Sequence, residues 1–272
     1  VVLAEFDRVA TFYDRYRPSF DALRAEALSQ HSLDNGGGRT AVDLGTGTGV
    51  MAFVLAEHGY RVTGLDHSRQ MLEQARMSAC RRRADIDFRL GSAADTGLAC
   101  ASVDVVTASQ SWHLFDGRRA FIECRRILKH GGALLVTTYD WLPLPGSAAR
   151  ITEELIREMN PGWEDYGGTG SHDRLGPVAA GFGFTLIRTR ERRFKQCYTL
   201  DDWIGRIRTS SSGGAGLGTA TRRALEGRMR DELTSRFPDG HFVVTHVAWS
   251  LSARKAYTSR PTPDYEMSGT AG

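Results

Sequence analysis

The sequence predicts an α/β protein built on a doubly wound, mainly parallel sheet with an antiparallel C-terminal strand, an N-terminal helical lid and inserted helices. Three observations carry this. Apolar runs of strand length alternate with helical patterns from residue 40 to about 139, the signature of a parallel sheet covered on both faces. The first run, Ala41-Val42-Asp43-Leu44, stops at Gly45-Thr46-Gly47-Thr48-Gly49 and leads into the helical pattern of Val50, Met51, Val54 and Leu55. The next run, Arg61 to Leu65, ends on a second acid, Asp66.

The elements follow in order. Phe6, Val9, Ala10, Phe12 and Tyr13 have helical spacing, and Arg17-Pro18 ends that pattern, because a residue before proline leaves the helical region. A second helix runs from about 20 to 30, and Asp34–Gly38 is a glycine-rich linker. Strands are predicted near 40–44, 61–65, 86–90, 103–108 and 132–139, and helices near 49–58, 68–80 and 117–129. After Asp140 the composition changes at Trp141-Leu142-Pro143-Leu144-Pro145-Gly146. A helix over about 147–159, a glycine- and tryptophan-rich loop, a helix near 173–181 and a strand near 184–195 are expected next. Thr199 caps a helix with Asp201 and Asp202 in its first turn, which favours the positive end of the helix dipole. A serine-glycine loop, a helix over about 219–236 and a strand over about 242–253 complete the pattern. The expected organisation is 1–39 as lid, 40–139 as cofactor-binding core, 140–256 as substrate-side helices and remaining strands, and 257–272 as a disordered tail.

Composition narrows the class. With 41% hydrophobic and 25% charged residues the chain is an ordinary globular protein. A net charge of +3 from 35 basic and 32 acidic residues is too balanced to imply a nucleic-acid partner. Arg81-Arg82-Arg83 and the group Arg188, Arg190, Arg192, Arg193, Lys195 read as solvated faces. Cys80, Cys100, Cys124 and Cys197 have no metal-knuckle or redox spacing and suit a reducing compartment, so no metal is expected. No run has the length of a membrane span, and no signal-peptide pattern follows Val1, so a cytoplasmic enzyme is expected.

The glycine loop indicates the cofactor. A dinucleotide fingerprint reads G-x-G-x-x-G, whereas this stretch reads D-x-G-x-G-x-G with Val50 where the third glycine would fall. A carboxylate at Asp43 repels a pyrophosphate and favours an ammonium. S-adenosylmethionine (SAM) carries an ammonium and a sulfonium. The acids and glycines, together with Phe6…Tyr13…Arg17-Pro18, Asp66-His67-Ser68…Met71-Leu72, Gly91-Ser92-Ala93 and Gln110-Ser111-Trp112-His113-Leu114, resemble the small-molecule branch of class I SAM-dependent methyltransferases. The likeness spans roughly 5–254 and is closest to the type 11 domain group, which includes quinone-biosynthesis and trans-aconitate methyltransferases. One departure is Leu114, where relatives often carry an aromatic residue.

The resemblance implies a Rossmann-like fold and a set of roles. Gly45, Thr46 and Gly47 hold the methionyl part of SAM, and Asp43 favours its ammonium. Asp66, followed by His67, takes the ribose. Met71 covers the adenine, Ser92 and Ala93 form its edge, and either Ser92 or Asp95 accepts from its amine. Tyr13 and Arg17 form a lid over the sulfonium and carboxylate. Gln110 contacts the cofactor. Trp112, His113, Trp163, Trp203 and Arg208 line the substrate pocket, with Tyr166 nearby. His113 is either the catalytic base or a wall and hydrogen-bond donor, since a base is needed only when the nucleophile arrives protonated. The implied reaction methylates a small organic molecule and releases S-adenosylhomocysteine. An NAD-dependent reductase, an RNA or protein methyltransferase and a non-catalytic SAM-binding protein are the alternatives.

Overall fold

A computed structural model describes residues 16, 20–163, 168–210 and 217–257 of the chain. Seven strands form one sheet: β1 Thr40–Leu44, β2 Arg61–Asp66, β3 Ile86–Leu90, β4 Val103–Ser109, β5 Leu128–Trp141, β6 Phe184–Thr199 and β7 His241–Lys255. Their order is β3-β2-β1-β4-β5-β7-β6. The first five run parallel, and β7 lies antiparallel between β5 and β6. The antiparallel pairing follows from the connection: Thr199 pairs with His241, so the chain leaves and re-enters the sheet at the same end. Strand order reverses between β1 and β4, which opens a crevice at the carboxyl ends of these strands. The fold is therefore the Rossmann-like sheet that the alternating pattern predicts.

The helices are α1 Asp21–Gln30, α2 Val50–Glu57, α3 Arg69–Arg82, α4 Gly117–Ile127, α5 Ala148–Met159, α6 Leu175–Gly181, α7 Leu200–Arg208 and α8 Thr219–Arg236. Short polar side chains start four of them by accepting a backbone N–H: Ser68 from Met71, Asp116 from Arg119, Ser147 from Arg150 and Thr199 from Asp202. The period of two along the strands divides the sheet between two cores. Ala41, Val105 and Leu135 pack with Leu28, Phe53 and Leu72 on one face; Val42, Val106 and Leu134 pack with Phe121, Phe182 and Trp249 on the other.

A third core joins the inserted helices to the long β6–β7 ribbon through Leu155, Ile156, Ile207, Leu225, Met229, Leu233 and Val244. Trp203 is its centre, fully buried, with its indole N–H donating to Thr152 Oγ1 at 2.8 Å and its ring 5.5 Å from that of Trp141. This corrects the expectation that Trp203 lines a pocket: an apolar face on a short helix between two others turns its largest side chain inward. Arg208 is corrected likewise. It holds Glu226 through two hydrogen bonds of 2.8 and 2.6 Å and ties α7 to α8.

Tyr16 lies against α7 so closely that a Cβ at Gly205 would come within 2.2 Å of its ring. Tyr16 therefore meets the inserted helices. The rest of the first predicted helix, with Tyr13 and Arg17, lies outside the described residues, as do Tyr166 and nearly all of the 257–272 tail. Strand β5 begins at Leu128, earlier than predicted, because Leu128 pairs with Val103 ahead of a register shift. Among the described residues, no helix is long and apolar enough to cross a membrane.

Replacing Trp203 tests the third core. Trp203→Ala removes a fully buried indole and is expected to lower stability by about 3–5 kcal/mol. Urea unfolding checks this; a loss under about 1 kcal/mol would show that the inserted helices do not rest on this residue.

Candidate functional site

The site begins where β1 gives way to α2. Gly45, Gly47 and Gly49 all have positive φ (63°, 56° and 91°), so the loop turns in a region that side chains avoid. Crowding also requires glycine at Gly45, where a Cβ would lie 2.6 Å from the Ser111 Cβ. Gly47 faces open space, with nothing within 4 Å of an added Cβ. Asp66, at the tip of β2, holds this loop. One carboxylate oxygen accepts the Gly47 N–H at 2.8 Å, and the other accepts the Ser68 N–H at 2.9 Å. His67 Nδ1 stands 3.4 Å from the same carboxylate. Each oxygen keeps a second lone pair, so the acid retains capacity to accept from a pair of ligand hydroxyls.

Asp43 lies beneath the loop, 1% exposed. Thr107 Oγ1 donates to its carboxylate at 2.7 Å. Burial raises its pKa from the ordinary carboxylate value to about 6, against the opposing pull of the Thr107 and Thr46 hydroxyls and the Arg24 guanidinium. Arg24 comes from α1 and is also buried. It donates to Ser109 Oγ at 3.2 Å and lies 4.9 Å from the centre of the Tyr139 ring, while its Nη1 has no partner among the described residues. A buried acid and a buried cation thus share the underside of the cofactor loop.

A cavity of about 730 Å3 opens at the crevice. One end is lined by Gly45, Gly47, Asp66, His67 and Met71, with Ser92 and Ala93 beside them after β3. Gln110 forms its middle at the tip of β4. Gln110 has φ of 59°, uncommon for a residue with a side chain, and its N–H is fixed to the Thr137 carbonyl at 2.9 Å. His113 lines the cavity on an exposed turn over Trp112–Leu114.

The other end is built after β5. Tyr139, Asp140 and Trp141 line it, facing Glu153 of α5, Arg206 of α7 and the loop carrying Trp163 and His172. Glu153 and Arg206 are 2% and 3% exposed, so both charges sit in the wall and not at the rim. The Trp141 indole donates to Glu153 Oε1 at 2.8 Å, and the Arg206 guanidinium lies 5.2 Å from the Trp141 ring. His172 Nε2 is 2.8 Å from Asp140 Oδ2.

The structure therefore brings ten predicted residues to one cavity: Gly45, Gly47, Asp66, His67, Met71, Ser92, Ala93, Gln110, His113 and Trp163. Asp43 and Thr46 do not line the cavity: Asp43, the last but one residue of β1, and Thr46, within the loop, are both buried, at 1% and 6% exposed. Trp112 is corrected to a packing role, its ring 4.6 Å from Phe121 and 5.9 Å from Phe115. Asp95 does not line the cavity, which leaves Ser92 at the edge after β3. Sequence reasoning missed Arg24, Tyr139, Asp140, Trp141, Glu153, His172 and Arg206. Only Asp140 carried a usable signal, as an acid at the carboxyl end of a predicted strand.

The residues fit SAM at the first end. Glycines there admit close backbone approach, an acid faces the same space, and Met71 and Ala93 supply apolar cover.

Asp43 makes stability depend on pH. Its folded-state value near 6 lies above the usual 3.8, so the stability linked to it is complete below about pH 4 and lost as pH rises through about 6. Two units correspond to about 3 kcal/mol. Urea unfolding of the wild type and Asp43→Asn is expected to show wild-type stability falling relative to the variant over that window; a constant difference would contradict the buried acid's shifted value.

Comparison with known proteins agrees with this geometry. Residues 42–136 match a family model described as a methyltransferase domain. A demethylmenaquinone methyltransferase from Paenarthrobacter aurescens is 30% identical over 164 residues, which is 56% of this chain and 63% of that protein. A ubiquinone biosynthesis O-methyltransferase from Stutzerimonas stutzeri is 27% identical over 63% of this chain and 73% of its own length. In three of the curated relatives the matched region covers only 51% to 63% of the relative's length. The YcgJ protein from Bacillus subtilis has a similar fold, with a TM-score of 0.58 at 18% identity, over 86% of this chain and 99% of that one. The glycine loop, Asp66 and the tip of β4 lie within residues 42–136, the stretch that matches the methyltransferase-domain model.

Proposed function

We propose that the protein transfers the methyl group of SAM to a small organic molecule and releases S-adenosylhomocysteine. The observation that carries this reading is the single cavity, which joins the glycine loop and Asp66 at one end to an aromatic, charged chamber at the other. When bound, SAM supplies an activated methyl carbon. The protein's task is then to align the acceptor with that carbon and keep water away.

In this reading Gly45 and Gly47 admit the methionyl group, Asp66 accepts from the ribose hydroxyls, and Met71, Ser92 and Ala93 enclose the adenine. Asp43 acts from beneath: a buried carboxylate held partly neutral gains charge stabilisation when a ligand ammonium approaches, with Arg24 balancing it. Tyr13 and Arg17 keep the role that the resemblance gives them, toward the sulfonium and carboxylate of SAM. Residues 40–139 hold the cofactor and the elements after Asp140 choose the acceptor, with His113 as wall or donor and Trp163 as lining. The quinone-biosynthesis relatives support a small acceptor. The four free thiols fit a reducing compartment, and we place the activity in the cytoplasm.

The loop spacing disfavours a reductase, because Val50 stands where the dinucleotide fingerprint has the glycine that lets the helix pack closely on the strand. Methyl-labelled SAM incubated with the protein and a panel of small acids, amines and phenols is expected to yield S-adenosylhomocysteine and a labelled product. Binding of NADH with no binding of SAM or S-adenosylhomocysteine would overturn this reading.

A further inference from the structure

At the acceptor end of the cavity, we propose, the His172–Asp140 pair is the general base that takes the proton from a hydroxyl carried on a flat, apolar ring. This rests on the methyltransferase reading and deepens it. The pair is built from distant parts of the chain. Asp140 is the last but one residue of β5, where its backbone is fixed by pairing with Val247 of β7. His172 belongs to the loop between α5 and α6, and Gly170 seats that loop. Gly170 has φ of 69°, and a Cβ there would lie 2.9 Å from the Val247 Cβ. Backbone so close to β7 delivers His172 onto the Trp249 ring at 5.1 Å and onto Asp140 Oδ2 at 2.8 Å.

The carboxylate partner assigns the tautomer. Asp140 accepts from Nε2–H, which leaves the Nδ1 lone pair as the basic site of the ring. Both side chains are about one-third exposed and both line the cavity, so the pair faces the acceptor space and is not sealed in a core. The carboxylate orients the imidazole and offsets the charge it gains on protonation. The cavity that the pair lines is also lined by the aromatic residues Phe115, Tyr139, Trp141 and Trp163, a lining that suits a flat ring more than a flexible chain. The other charged groups and histidines that line the cavity are Arg119 from α4, Glu153 from α5 and Arg206 from α7, with Asp116 and His113 before α4, Asp66 at the end of β2 and His67 just after it. Trp249, which packs under His172 from β7, carries no charge.

The step balances. The acceptor oxygen forms a bond to the methyl carbon, the carbon–sulfur bond breaks with its electron pair going to sulfur, and the hydroxyl proton passes to His172 Nδ1 and later to water. An acceptor that arrives as a carboxylate needs no such group, so the pair indicates a neutral hydroxyl.

The test uses the full chain. Calorimetric binding of S-adenosylhomocysteine comes first; its failure strikes the cofactor reading and not the base. Ring 15N spectra of the protein without cofactor are expected to show His172 protonated on Nε2, and Asp140→Asn is expected to lose that preference. A ring averaging between tautomers in the wild type, or protonated on Nδ1, would overturn the proposal even if a variant failed to fold. The third measurement uses 4-nitrocatechol, whose ionisation is visible by absorbance. Bound to the S-adenosylhomocysteine complex, it is expected to ionise at lower pH than in water. His172→Gln and Asp140→Asn are expected to remove about tenfold or more of that effect while leaving S-adenosylhomocysteine affinity unchanged within about twofold. An effect retained in both variants would overturn the base assignment. A complex that binds S-adenosylhomocysteine and refuses 4-nitrocatechol would overturn the proposed acceptor class.

Discussion

The site depends on one carboxylate bridge. Asp66 accepts from the backbone of the glycine loop with one oxygen and from the start of α3 with the other. Each is a charge-assisted hydrogen bond in a nearly dry place, since Asp66 is 6% exposed. The bridge fixes the loop after β1 relative to the tip of β2, on one side of the crevice that opens between β1 and β4. Ser111 adds a second tie by donating to the Leu44 carbonyl at 2.8 Å, and its Cβ occupies the space that only glycine at Gly45 leaves open. A rigid wall of backbone, glycine and carboxylate results, which is what positioning an activated methyl carbon requires.

The rest of the cavity has a different origin. Strands β6 and β7 pair over residues 184–199 and 241–255, and their ends carry the third core. Trp203, Ile207 and Met229 are used to build that platform, which leaves Trp141, Glu153 and Arg206 at its surface facing the crevice. The glycine-loop end thus follows from strand-tip chemistry, and the far end from helix packing. Such a division lets the second half change its ligand while the first keeps its geometry, because few residues serve both.

The sequence made the cofactor end legible because its signals are local. Asp43 to Gly49 and Asp66 to Met71 each lie in a run of seven residues or fewer, and glycine spacing with an acid at a strand tip has a direct physical reading. Thr199 marked the start of α7 for the same reason, as a cap. Orientation was harder to read. Trp112 and Trp203 carry the same side chain as Trp163, but helix and sheet packing turn the first two inward. Pairings across the chain left no local trace: His172 meets Asp140 over 32 residues, and Arg24 reaches Ser109 over 85. Their partners are chosen by register and loop seating, which no window of sequence contains.

The central claim is that Asp66 both sets the loop and receives the cofactor's ribose. Asp66→Asn removes the charge and leaves a single acceptor oxygen for contacts that two oxygens share. Calorimetric titration with S-adenosylhomocysteine, on wild type and on a variant shown by urea unfolding to be folded, tests this most directly. The account predicts an affinity loss of about tenfold or more, equal to about 1.4 kcal/mol. Equal affinity in a folded Asp66→Asn protein would contradict it.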